Sequence, residues 1–219
     1  MRKIFQADLE ALGDQLVEIS KLVSIAMERA YQAFEEADLE LAERVIADDA
    51  RIDFLQLALD EKAIELLALQ GPVATDLRTV VAALRMSSSL ERMGDLARHI
   101  AQLARLRYPE NVAPEQLVGT FKRMAELCIS MCRNVTALLE TRELETAKQI
   151  VKDNMELNEL HASVFTAIAS PNWDVDAPST VDCTLASRYF ERYGDHALSV
   201  TRKVSYLVTG EWESTLPGL

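Results

Sequence analysis

The sequence predicts an all-α protein of six helices, arranged as two tandem, sequence-related three-helix bundles. Three observations predict it. The 219 residues are rich in Ala, Leu, Glu and Arg, with 7 Gly and 6 Pro, and runs of β-branched residues bounded by turn signals are missing. Apolar residues recur at alternating steps of three and four, the period of a helix seam. Leu90-Glu91-Arg92-Met93-Gly94-Asp95 returns one hundred residues later as Phe190-Glu191-Arg192-Tyr193-Gly194-Asp195, so the chain is a duplication.

Helix 1 carries the clearest seam, Leu9, Leu12, Leu16, Ile19, Val23, Ala26, Ala30 and Ala33. Asp38 offers an N-cap to helix 2, whose apolar stripe of Leu41, Val45, Ile52, Leu55, Leu59, Leu66 and Leu69 is interrupted by Asp48, Asp49 and Asp53. Gly71-Pro72 ends that helix, and helix 3 runs from near Val73 to about Arg107, with Leu77, Leu84 and Glu91 in one heptad phase. Pro109 and Pro114 bracket a linker at 110–114, which sets a first repeat at 1–109. The second repeat, 115–212, has shorter helices: helix 4 from Glu115 to Glu140, helix 5 opening at Glu143-Leu144-Glu145, and helix 6 from about Thr180 to Thr209. Ser170 to Ser179 forms its longest irregular loop. Residues 213–219 are a tail, and Trp212 to Leu219 carry no assignable role.

Bulk properties narrow the function. A net charge of −12 and a pI near 4.8 argue against nucleic-acid binding through a general basic surface. Three cysteines without framework spacing fit a reducing compartment. Asp8 and Glu10 interrupt the opening Met1-Arg2-Lys3-Ile4-Phe5 before a signal-peptide core can form, and no apolar run reaches membrane-spanning length. The chain reads as cytoplasmic, or peripheral at the inner face of the membrane through partners, without direct membrane insertion.

The duplicated motif holds the candidate site. Glu91 and Asp95, like Glu191 and Asp195, stand four apart on a helix, hence about 40° apart on one face. Like charges so spaced destabilise a lone helix by roughly 0.2–0.5 kcal/mol, and a mid-helix Gly costs about 1 kcal/mol more. Folding helices 2 and 3 back about Gly71-Pro72 brings Asp49 to the level of Gly94 and Asp53 to that of Leu90, roughly 28 Å from the turn. In the second repeat Asp48, Asp49 and Asp53 correspond to Asp153, Asn154 and Asn158, and the same folding places Asn154 and Asn158 level with Glu191 and Asp195. Two polar layers are therefore expected, Glu91, Asp95, Asp49 and Asp53 in one bundle and Glu191, Asp195, Asn154 and Asn158 in the other. Oxygen donors of this kind suit hard or borderline divalent cations. The alternative is that Glu91 and Glu191 pair with arginines such as Arg85, Arg98, Arg188 or Arg202. Cys128 and Cys132 read as core, His196 as a surface or inter-helix residue, and His99 as a neighbour of the Asp95 face. No Glu-x-x-His, nucleophile elbow or phosphate loop occurs, so no catalytic residue is assigned.

The two Glu-x-x-x-Asp motifs, the continuation of the second into His196-Ala197, and the lead-in Pro72-Val73-Ala74-Thr75-Asp76-Leu77-Arg78 resemble the PhoU family over nearly the whole chain. The resemblance implies a PhoU-like pair of three-helix bundles, usually a homodimer. It also implies motifs able to hold a multinuclear divalent metal cluster of iron, zinc, manganese or magnesium. Its functional implication is a non-enzymatic negative regulator of phosphate uptake and of phosphate-starvation signalling, which contacts the phosphate ABC transporter with its ATPase and the phosphate-responsive sensor histidine kinase. Asn154 and Asn158 depart from the acidic pattern and imply weaker metal binding in the second bundle. Two other readings remain open, a carboxylate-bridged di-metal helical-bundle enzyme and a metal-free helical adaptor.

Overall fold

The computed structural model describes the backbone of residues 2–211 and the side chains of residues 5–211; the tail 213–219, Trp212 and Met1 lie outside the described residues. Six α-helices make the fold: α1 (Arg2–Glu36), α2 (Leu39–Gln70), α3 (Ala74–Arg107), α4 (Val118–Thr141), α5 (Glu145–Ile168) and α6 (Ala177–Thr209). No strand occurs among the described residues. Within each half, the second helix packs on the third and both pack on the first.

Local chemistry fixes the ends. Asp38 caps α2, its carboxylate accepting from the Leu41 N–H at 2.9 Å, and Gly71 closes it in the left-handed region at φ 52°. Three boundaries differ from the sequence expectation. Glu115–Leu117 form a single 3-10 turn before α4 begins at Val118. α5 starts at Glu145 because Arg142 is left-handed, at φ 59°, and the Glu143 N–H is taken by the Thr141 hydroxyl. α6 starts at Ala177, three residues early, because Asp176 caps it through the Ser179 N–H and Pro178 sits in the first turn, where a missing N–H costs nothing.

Most of the helix 1 seam is core as expected: Leu12, Leu16, Ile19, Val23, Ala30 and Ala33 are buried, while Leu9 and Ala26 are half-buried against that core. Leu69 is not, being 70% exposed one turn before Gly71, and Leu77 is 41% exposed at the start of α3. Cys128, Cys132 and Cys183 are buried and unpaired. Burial pushes the Cys132 thiol up to about 12, which leaves it an inert core group.

The two halves share an interior. α1 packs on α4 and α3 on α6, both antiparallel: Arg133 of α4 pairs with Glu28 at 2.8 Å and Lys21 with Glu140 at 2.7 Å, while His99 meets Tyr189 and Arg78 meets Tyr206 across α3 and α6. At the centre, Phe34 of α1, Phe121 of α4 and Phe190 of α6 form an edge-on cluster with ring centroids 5.4–6.2 Å apart, and the Tyr193 hydroxyl donates to the Val23 carbonyl. The linker joins this core through buried Val112, whose carbonyl accepts from the Cys183 thiol. Such a shared core predicts one unfolding transition for all six helices. Phe190→Ala is expected to cost about 3–5 kcal/mol and to move that single transition in a urea titration followed by circular dichroism; separate transitions for the two halves would contradict the shared core.

Candidate metal centre in two polar layers

The glycine of each motif is where the second helix of its bundle comes closest to the third. A Cβ placed on Gly94 would lie 3.0 Å from Ile52 Cδ1 and 3.2 Å from Asp49 Oδ1. On Gly194 it would lie 2.5 Å from Leu157 Cδ2 and 2.6 Å from Asn154 Oδ1. Thus Asp49 and Asn154 rest on the motif glycines, at the levels expected from the turn positions. The helix-propensity cost of each Gly is the condition for that contact.

In the first layer Asp49 is buried, Glu91 and Asp95 are half-buried, and Asp53 is exposed. Arginines thread between them. Arg98 Nε lies 2.5 Å from Asp49 Oδ2 and its terminal nitrogen donates to Asp95, so one guanidinium joins α2 to α3. Arg92 donates to Asp95 at 2.7 Å and stands 3.6 Å from Glu91. Burial raises the Asp49 and Glu91 carboxyls above the usual range; Arg98 opposes the rise at Asp49, whereas Asp95 adds to it at Glu91. Burial also pushes Asp95 up, but hydrogen bonds and charge from Arg98 and Arg92 outweigh it and hold that carboxyl low.

The second layer differs in charge and contact. Glu191 pairs with Arg188 at 2.6 Å and Asp195 with Arg192 at 3.7 Å. Asn154 is buried with no partner on its Oδ1, and Asn158 is exposed. A polar cavity of about 580 Å³ opens here, lined by Asn154, Asn158, Arg192, Asp195, His196 and Arg202. Asp153, the neighbouring acid of α5, turns away to accept from Ser130 at 3.0 Å and Gln149 at 2.6 Å.

Of the arginines weighed from sequence, Arg98 and Arg188 pair with motif acids, whereas Arg85 and Arg202 have no carboxylate within 4.0 Å among the described residues. Arg92 and Arg192, inside the motifs themselves, were missed; their i,i+3 spacing to Asp95 and Asp195 was the available signal. His99 turns from the Asp95 face to pack at a tilt against Tyr189, with ring centroids 5.0 Å apart. His161 contacts the buried Ser187 hydroxyl through Nδ1.

The donor chemistry fits a hard cation better in the first layer, where four carboxylates face only Arg92 and Arg98. In the side-chain positions found, no three His, Cys, Asp or Glu groups converge as a metal would require among the described residues. Arg98 holds the place between Asp49 and Asp95, so a cation bound there must displace it.

Fold and site together define a class, the tandem three-helix-bundle proteins that repeat an acidic pair on the third helix of each half. The PhoU domain matches residues 7–104 and 121–204, and the chain belongs to the PhoU family. It is 40% identical over 210 residues to the phosphate-specific transport system accessory protein PhoU homolog 2 of Mycobacterium tuberculosis, covering 96% of this chain and 99% of that one. Homolog 1 of Mycobacterium leprae is 39% identical, with 100% and 99% covered. The crystal structure of the phosphate transport system regulatory protein PhoU from Streptococcus pneumoniae superposes with a TM-score of 0.84 at 26% identity, over 94% of this chain and 98% of that one.

Two outcomes are expected. Because Asp49 and Glu91 carry raised values in the folded state, each contributes stability that is full below about pH 4 and lost as the pH rises through the raised value; Asp95 contributes in the opposite sense, losing stability as pH falls through its lowered value. The wild type should therefore lose stability relative to Asp49→Asn/Glu91→Gln between about pH 4 and pH 7 in chemical denaturation, and a difference independent of pH would contradict the burial of these acids. Gly194→Ala should lower the melting temperature more than Gly94→Ala, since overpacking by about 1–3 kcal/mol competes with a propensity gain of about 1 kcal/mol.

Proposed function

We propose that the chain is a non-enzymatic accessory and regulatory protein of phosphate transport, which restrains phosphate uptake and phosphate-starvation signalling through contacts with the phosphate ABC transporter and the sensor histidine kinase. The observation that carries this reading is the likeness to phosphate-transport accessory proteins across both repeats and the linker, rather than over one bundle. The missing Glu-x-x-His and the acids' arginine partners support regulation over catalysis. No helix among the described residues is long and apolar enough to cross a membrane, in keeping with action through membrane partners.

The proposal includes a metal role. Glu91, Asp95, Asp49 and Asp53 would hold iron, zinc, manganese or magnesium, and Glu191, Asp195, Asn154 and Asn158 would hold it more weakly because two carboxylates are replaced by amides. A cation held by these residues would supply positive charge between the second and third helices, where Arg98 now bridges Asp49 and Asp95. A metal-free adaptor is the second reading, favoured by the contact of Arg98 with both Asp49 and Asp95.

Elemental analysis of protein purified without chelator, beside Glu91→Ala/Asp95→Ala and Glu191→Ala/Asp195→Ala, separates these readings. Metal should be lost motif by motif, and saturation of the native state to about 100 times Kd should raise stability by about 2.7 kcal/mol. Metal-free wild type with melting indifferent to every cation would favour the adaptor. For the regulatory reading, cells carrying Glu91→Ala/Asp95→Ala should lose phosphate-dependent repression of a starvation reporter; intact repression would remove the acids from the mechanism.

A further inference from the structure

Across the antiparallel contact of α3 and α6, residues of the two helices meet from His99 and Tyr189 at one level to Arg78 and Tyr206 at another. His99 packs at a tilt against Tyr189, Arg78, Arg85 and Lys203 line one slot with Tyr206, and Arg78 lies 5.9 Å from the Tyr206 ring centre. Arg78, Arg85 and Arg92 thus form a row with spacings of about 10.5 Å along α3, and Lys203 and Arg202 extend it on α6. Arg92 alone of these five has a carboxylate within 4.0 Å; Arg78, Arg85, Arg202 and Lys203 have none among the described residues. That is unexpected in a chain of net charge −12. Lys203 is half-buried and, among the described residues, donates to Ser199 oxygens at 2.6 and 3.1 Å. Burial and the neighbouring Arg85 and Arg202 push its ammonium down. Beside it lies an apolar slot of about 310 Å³ between Leu77, Val81, Ala82 and Tyr206.

We infer that the α3–α6 seam is a docking groove for an acidic amphipathic helix of a protein partner. A third helix laid along an antiparallel pair presents its own residues at heptad spacing. Carboxylates one heptad apart meet Arg78, Arg85 and Arg92 in turn, and an apolar side chain beside them enters the slot at Leu77. Arg78, Arg85 and Lys203 then gain carboxylate partners that the described residues do not supply, and charge complementarity sets the partner and its direction. The inference deepens the regulatory reading by naming what a partner must present. It rests on that reading only for the existence of a protein partner, and it adjoins the metal layers at Arg92, which pairs with Glu91 and Asp95, and at Arg202.

The test uses the full chain and a fluorescent three-heptad synthetic helix with Glu at one heptad position and Leu beside it. Binding by anisotropy should weaken with salt and fall roughly tenfold or more in Arg85→Glu/Lys203→Glu. Should charge reversal disturb the fold, Arg85→Gln/Lys203→Gln carries the same expectation, and Lys21→Gln, a cation of the α1–α4 contact, should leave binding unchanged. Equal binding of a helix with Gln in place of Glu, or by the seam variants, would overturn the proposal. So would seam-dependent binding to phosphatidylglycerol vesicles without binding to the peptide, or loss of self-association as the only effect of the variants. Failure of the acid-motif variants to alter repression would remove the metal role and leave this groove standing.

Discussion

Two mid-helix glycines set how closely the second and third helices of each bundle can lie. Without a side chain at Gly94, α2 settles until Ile52 and Asp49 rest on α3; without one at Gly194, α5 settles until Leu157 and Asn154 rest on α6. The acids of each motif are carried by the same turn of helix, so the contact that packs the bundle also fixes how far Glu91 and Asp95 stand from α2. Dispersion at close approach and electrostatics of the polar layer are therefore one constraint. Widening it would relax the repulsion among carboxylates and open the hydrophobic interior at the same place.

The two layers answer that constraint differently. In the first, a buried carboxylate is kept beside two others, and Arg98 lies between them. A buried ion pair of this kind adds little net stability, but removing one partner leaves an uncompensated charge. In the second, position 154 is an amide, Leu198 stands where the first repeat has Arg98, and the acids pair locally with Arg188 and Arg192. Here the result is a more open polar cavity with a buried, unpartnered amide oxygen. One fold thus supports a tightly compensated acidic layer and a less acidic, more open one.

Much of this was legible in the sequence because it depends on period and level. The seam of α1, the Asp38 cap, the Gly71 stop and the juxtaposition of Asp49 with Gly94 follow from residue spacing and one turn position. The start of α6 was hidden because Pro178 reads as a loop residue unless Asp176 is recognised as the cap before it. Arginine partners were legible only in part: Arg98 and Arg188 lie within one turn of their acids, whereas Arg85 faces the other bundle and Arg202 lines the second layer's cavity. Nothing local states that α3 crosses α6, so the cationic row was invisible until the two halves were placed together. The tie of Val112 to Cys183 was hidden for the same reason, since it joins positions with no periodic relation.

The antiparallel pairing of α1 with α4 and of α3 with α6 relates the halves by an approximate two-fold axis. Each repeat accordingly presents a self-complementary face, the kind of surface that closes a symmetric dimer. A half-length ancestor with three helices would have formed the same six-helix unit from two identical chains, and both its acidic layers would have been obliged to be alike. In one chain joined through residues 110–114 that obligation does not hold: Asp49 and Arg98 stand on one side, Asn154 and Leu198 on the other, within a framework that keeps its approximate symmetry.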